Sequence, residues 1–220
     1  MPGTREPLHL LGQLVAGTKT DAVALVTNPF YHAWRAGALA SGADIQFLNS
    51  GAIHKFLPDL AAIDNDVLAR TTILYLCSPT NPHGSVMDLA YLKTVLRLAR
   101  QHDFLVVMDE CYSDIWRHTP PPGMIEAAAA LAVDAPNQDA LGQDAPGPDP
   151  LRNLVVRKSL SKRSGAAGLR AGFMVGDQTV ITQYLKIVAN GGGLVPTPLL
   201  EVAADLYDDD DHVAAIRAYY

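Results

Sequence analysis

Apolar positions along the chain form short, β-branched or leucine-rich runs, and these alternate with longer stretches in which apolar residues recur at helical spacing. Leu8, Leu10, Leu11, Leu14 and Val15 give the first helical stretch, after the polar segment 2–7. Residues 22–26, 43–48, 71–76, 104–108, 154–156 and 171–175 are the short runs and are predicted as buried strands. Helices are predicted over 32–40, 57–68, 89–100, 179–189 and 199–207, with a last one after the acidic turn 208–211. Strands that alternate with helices of this length argue for a largely parallel sheet with helices on both faces, a three-layer α/β/α domain. The pattern lapses at 133–150, where Asp, Ala, Pro, Gly and Gln dominate, and resumes at Leu154. That segment is predicted to be a mobile, acidic Pro/Gly insertion within one domain spanning 1–220.

Composition removes several function classes. A net charge of -6 with no basic stripe gives no footprint for nucleic acid. Two cysteines, Cys77 and Cys111, are too few for a disulfide framework or a metal quartet. No apolar run approaches membrane-spanning length and the N-terminus lacks the apolar core of a signal peptide, so a cytoplasmic protein is expected.

In an open parallel sheet, ligands collect outside the carboxyl ends of the strands. The candidate groups at such ends are Tyr31, Asn81, Asp109 with Tyr112, and the polar loop 159–170. That loop holds Ser159, Ser161, Lys162 and Arg170 between two apolar runs. A lysine desolvated there is a nucleophile toward carbonyl carbon. Serine hydroxyls and a guanidinium suit a phosphate. An imine-forming amine beside a phosphate cradle is what pyridoxal 5′-phosphate requires. A solvated surface loop accounts for the same residues equally well. Asn81 between two prolines also reads as a turn residue, Asp109 as a helix cap, and Tyr31 and Tyr112 as half-buried packing. Gly3 and Thr4, before the first helix, read either as a cap or as a phosphate loop.

Three motifs carry a resemblance. Ser-Pro-Thr-Asn-Pro-His-Gly (78–84), Asp-Glu-Cys-Tyr-Ser (109–113) and Ser-Leu-Ser-Lys (159–162), in this order and spacing, resemble the class I/II aminotransferases of pyridoxal-phosphate fold type I. The resemblance implies that Lys162 is the Schiff-base lysine and Asp109 the partner of the cofactor's pyridine nitrogen. It implies that Asn81 and Tyr112 bind the phenolate oxygen and that Tyr31 stacks on the ring. Ser159 and Arg170 correspond to phosphate ligands and Gly3-Thr4-Arg5 resembles the family's phosphate loop, with Ser161 a further cofactor-binding candidate. A narrower resemblance, carried by Gly-Thr-Arg-Glu (3–6), Asn-Pro-Phe-Tyr (28–31), Asp-Glu-Cys-Tyr-Ser-Asp-Ile (109–115) and Ser-Leu-Ser-Lys-Arg-Ser (159–164), is to bacterial succinyldiaminopimelate transaminases. It implies transamination between N-succinyl-LL-2,6-diaminopimelate and 2-oxoglutarate, in lysine and diaminopimelate synthesis.

The family resemblance further implies small-molecule amino acid and 2-oxo acid substrates and a homodimer. Family members are longer than this chain, so it is expected to be the large-domain core of a truncated enzyme, without the substrate-gripping arginine. The rival expectations are transamination of aspartate, alanine or an aromatic amino acid, and an inactive fragment that binds the cofactor. A dinucleotide-binding Rossmann domain is disfavoured, because no G-x-G-x-x-G follows a first strand.

Overall fold

The computed structural model describes residues 1–3, 5–134, 149–191 and 193–219. Six strands form one sheet: β1 (Val23–Asn28), β2 (Asp44–Asn49), β3 (Thr71–Cys77), β4 (Leu105–Asp109), β5 (Leu154–Ser159) and β6 (Gly172–Gly176). Their spatial order is β2-β1-β3-β4-β5-β6. The first five run parallel, and β6 pairs antiparallel with β5 at one edge. This is the mostly parallel, doubly covered α/β sheet expected from the sequence pattern, with one antiparallel edge strand.

Side-chain alternation along the strands builds two cores. Leu25, Leu74, Leu76, Val106, Met108, Leu154 and Val156 point to one face. There they meet Leu92, Val95, Leu96 and Ala99 of α4 (Leu89–His102) and Ala127, Ala128 and Leu131 of α5 (Met124–Asp134). Ala24, Val26, Ile73, Tyr75, Leu105, Val107 and Val155 point to the other face. They pack on Leu8 and Leu11 of α1 (Arg5–Leu14) and Trp34 and Ala38 of α2 (His32–Ala40). Two helices approach closely here: a Cβ on either Gly12 or Gly37 would overlap the facing helix backbone. The Tyr75 hydroxyl, buried at the same crossing, donates to the Leu8 carbonyl at 3.0 Å.

Two expected elements take a different form. The helix over 57–68 is replaced by a 3-10 turn at Leu60–Ala62 and a short α3 (Asn65–Arg70). Asp59 accepts from the Ala61 N–H at 3.0 Å, which starts and shortens the turn. Helix α5 fills much of the region between β4 and β5. Its run of alanines gives no strong apolar stripe to betray a period. The helix continues to Asp134, so the first two positions of the expected insertion belong to it. Residues 135–148 of that insertion lie outside the described residues. The chain closes with α7 (Gln178–Gly191), α8 (Thr197–Asp208) and α9 (Asp211–Tyr219). No helix among the described residues is long and apolar enough to cross a membrane.

Candidate active site

Parallel strands end on one edge of the sheet, and the strand register assembles the site there. Cys77 of β3 pairs with Asp109 of β4, and Asp109 pairs with Arg157 of β5, giving one row across three strands. Beyond that row opens a cavity of about 520 Å³. Arg5, Tyr31, Asn81, Asp109, Tyr112, Ser159, Ser161, Lys162 and Arg170 all line it. Of the candidate residues named from the sequence, Gly3 stands just behind this wall, and Thr4 lies outside the described residues. Gly3 has φ +69, and a Cβ there would overlap the Arg170 guanidinium. Only glycine meets both demands, the left-handed backbone and the close approach.

The loop after β5 is more ordered than a surface loop. Ser159 caps a short α6 (Leu160–Arg163), its Oγ accepting from the Ser161 N–H at 3.1 Å and lying 3.0 Å from Ser161 Oγ. Arg170, also left-handed at φ 51, donates from Nη1 to the Ala167 carbonyl at 2.8 Å, which orients its fork. Lys162 does not sit in apolar surroundings as the flanking strands suggested. It is exposed, opening to the cavity with Nζ 5.9 Å from the centre of the Tyr112 ring. The short helical turn lifts it off the sheet.

Asn81 and Tyr112, read separately as turn and packing residues, meet: Asn81 Nδ2 donates to the Tyr112 hydroxyl at 3.0 Å. Burial raises the Tyr112 phenol above its ordinary range, with the Asn81 contact acting the other way. The phenol therefore stays a neutral donor near neutral pH. Arg5 Nε donates to the Tyr31 hydroxyl at 2.6 Å, fixing the angle at which that ring faces the cavity. The Cys111 thiol is pushed up, first by its hydrogen bond with Cys77 and then by burial, against the pull of Lys162. Both cysteines line the cavity, and the Cys111 thiol, held neutral, is a poor nucleophile.

Asp109 is 3% exposed. Its Oδ1 accepts from the Cys111 N–H at 3.0 Å, and its Oδ2 receives Arg157 Nη2 in a buried ion pair. Sequence reasoning missed Arg157. The signal was present, a charged residue directly after the apolar run Leu154, Val155 and Val156. Arg163, prominent in the motif, turns away from the cavity. It pairs with Asp210 at 2.8 Å and Asp114 at 3.7 Å, and so ties the loop to the turn between α8 and α9 and to the segment after β4.

The neighbouring Glu110 is buried, accepts from the Met124 N–H at 2.8 Å, and lies 3.7 Å from Lys158 Nζ. Burial raises its carboxyl above the usual 4.5, more than these partners lower it. A raised folded-state value means that the folded chain holds the proton more tightly than the unfolded one. Glu110 thus favours folding fully below pH 4.5, and the advantage fades as pH rises through the raised value. Glu110→Gln keeps the acceptor for Met124 and removes the charge. Its unfolding free energy relative to the parent is expected to improve as pH rises from 4 to 7 in urea titrations. A flat difference over that interval would show that Glu110 is not the linked group.

The family model for aminotransferase class I and II matches residues 1–220. The chain belongs to that family. A probable aminotransferase of Mycobacterium tuberculosis is 30% identical over 218 residues, 99% of this chain and 45% of the relative. An LL-diaminopimelate aminotransferase of Moorella thermoacetica is 28% identical, covering 90% of this chain and 46% of its own length. The crystal structure of an aminotransferase from Neisseria meningitidis superposes with a TM-score of 0.85 at 33% identity, over 98% of this chain and 51% of that one. The chain spans about half the length of the relatives it matches.

Class I/II aminotransferases depend on pyridoxal 5′-phosphate, and the donor set of this cavity fits that group. Its lining includes the Arg170 guanidinium, the Ser159 and Ser161 hydroxyls, the Lys162 primary amine and the buried Asp109 carboxylate. The expected fold, fold type I of the pyridoxal-phosphate enzymes, is that of the solved relatives.

Proposed function

We propose that residues 1–220 form the cofactor-binding large domain of an aminotransferase acting on N-succinyl-LL-2,6-diaminopimelate with 2-oxoglutarate as amino acceptor. The observation that carries the transamination reading is the convergence of Lys162, Asp109, the Asn81–Tyr112 pair and Arg170 on one cavity. The substrate reading rests on the motif around Lys162, Arg163 and Ser164. It is supported by a relative named for LL-diaminopimelate, which has the same carbon skeleton.

When bound, pyridoxal phosphate supplies an aldehyde carbon for amines and a ring that delocalises the electron pair left when Cα–H breaks. The residues of the chain do the rest. Arg170, Ser159 and Ser161 would hold the phosphate dianion through charge-assisted hydrogen bonds. Lys162 Nζ would anchor the cofactor and, when not so engaged, would serve as the base that takes the proton from the substrate Cα and returns it. Asp109 would hold a proton at the ring nitrogen, since a nearby anion favours the charged form of a base. Tyr112 and Asn81 would orient the ring through their hydrogen-bonding tips, and Tyr31 would pack against it.

Borohydride reduction in the presence of pyridoxal phosphate, followed by peptide mapping, tests the cofactor reading; the label is expected on Lys162, and a label elsewhere would sink the assignment. A panel of amino donors with 2-oxoglutarate tests the substrate. The succinylated diaminopimelate is expected to give the highest kcat/KM. Preference for free LL-diaminopimelate, aspartate or an aromatic amino acid would overturn the substrate reading and leave transamination standing.

A further inference from the structure

Strand β5 carries a charge where its neighbours carry hydrocarbon. Leu154, Val155 and Val156 are fully buried, and so is Arg157, at 2% exposure. The register brings Arg157 beside Asp109, and their side chains form an ion pair that is 2% and 4% exposed. The pair accounts for one guanidinium nitrogen. Nε and Nη1 are also buried and have no hydrogen-bond partner among the described residues. Arg157 lines the same cavity as Lys162 and Arg170, so its ion pair with Asp109 belongs to the candidate active site. Among the described residues, Asp109 is the carboxylate within ion-pair distance of it. The other nearby acid, Glu110, is engaged by Met124 and Lys158. Burial pulls the guanidinium down to about 10, which leaves it protonated near neutral pH.

A carboxylate favours a proton on a ring nitrogen because of its negative charge. A second cation on the same carboxylate competes for that charge, and in a dry site the competition is barely screened. Asp109 is therefore shared. We propose that Arg157 is a positioning residue that holds the Asp109 carboxylate and limits the negative charge it can offer to a cofactor ring nitrogen. The proposal rests on the cofactor reading above and adds that this chain tunes its electron sink through Arg157. The site then gains less from the pyridine nitrogen than an unshared carboxylate would allow.

The test compares binding of pyridoxal phosphate with binding of its 1-deaza analogue, in which C–H replaces the ring nitrogen. Dissociation constants are measured by calorimetry on the 220-residue chain, its Arg157→Met variant and its Arg157→Lys variant. The methionine variant is expected to raise the preference for pyridoxal phosphate over the analogue about tenfold, one pKa unit of released charge. The lysine variant keeps the cation and stays within about threefold of the parent. Adding Asp109→Asn to Arg157→Met should erase the gain. Thermal melts should show pyridoxal phosphate, but not the analogue, raising the stability of Arg157→Met more than that of the parent. If methionine at 157 prevents folding, Arg157→Gln carries the same comparison, since it removes the charge and keeps a donor. An unchanged preference in a variant that still binds both ligands would overturn this proposal alone. Failure of every variant, and of the parent, to bind pyridoxal phosphate would overturn the cofactor reading and this proposal with it.

Discussion

Lys162→Ala is expected to abolish transamination while leaving the fold as stable as before. The side chain is exposed, and its recorded contact is a cation–π approach of 5.9 Å to Tyr112. An exposed substitution of this kind changes stability by about 0.5 kcal/mol or less. The catalytic loss has two sources. Among the described residues no other amine lines the cavity, so both the anchoring of the cofactor and the proton transfer at Cα are expected to be removed. Positioned proton transfer alone contributes about 10²–10⁴-fold, so a drop in kcat of at least ~10³-fold is expected. Urea unfolding and steady-state turnover, measured on the same preparation, separate the two quantities. Turnover within tenfold of the parent would remove Lys162 from the mechanism.

Asp109→Asn is expected to show the reverse balance, with a large stability effect beside its catalytic one. The substitution is nearly isosteric, and the amide oxygen can still accept from the Cys111 N–H that Asp109 Oδ1 receives at 3.0 Å. What it removes is the counter-charge of a guanidinium that is 2% exposed. Breaking a buried pair from one side strands the other charge, a loss of about 3–5 kcal/mol. Two nitrogens of Arg157 already lack partners, so the guanidinium has little to fall back on. The double variant Asp109→Asn/Arg157→Met removes both charges and should recover most of the stability, because uncharged replacements of a buried pair are often neutral. If Asp109→Asn unfolds at the same urea concentration as the parent, the pair is not a structural element. The transamination rate of the single variant is expected to fall as well, since an amide cannot hold the ring proton.

Stability and chemistry thus divide between neighbouring strand ends. At the end of β5, Lys162 stands exposed on a short helical turn. At the end of β4, Asp109 is buried and bonded on both oxygens. The contrast matches the roles proposed for the two groups. An amine that exchanges places with a substrate needs solvent and room, whereas a carboxylate that holds one proton needs a rigid, dry setting.

The short apolar runs sufficed to locate all six strands, five of them to within two residues at each end, because each strand is buried by its neighbours and its composition records that burial; β5 runs three residues past its apolar run, through Arg157 to Ser159. The three motif loops announced the chemistry for a related reason. Asn81, Asp109 and Lys162 follow buried strands directly, and a parallel sheet delivers such strand ends to one edge whatever the intervening helices do. Local signals failed where the deciding contact was distant. Helix α5 is rich in alanine and shows little period of its own, yet it packs on α4 and the sheet. The expected helix over 57–68 is the exception, lost to a local contact: the Asp59 side chain accepts from the Ala61 N–H and starts a 3-10 turn. Arg157 is the sharpest case. Its partner lies 48 residues away, and only the register of β4 against β5 sets the two side by side. Residue type and spacing determined which groups come to the edge of the sheet. The pairing of strands decided which of them touch, since a register is fixed by the burial of whole faces and not by the residues that end up opposed.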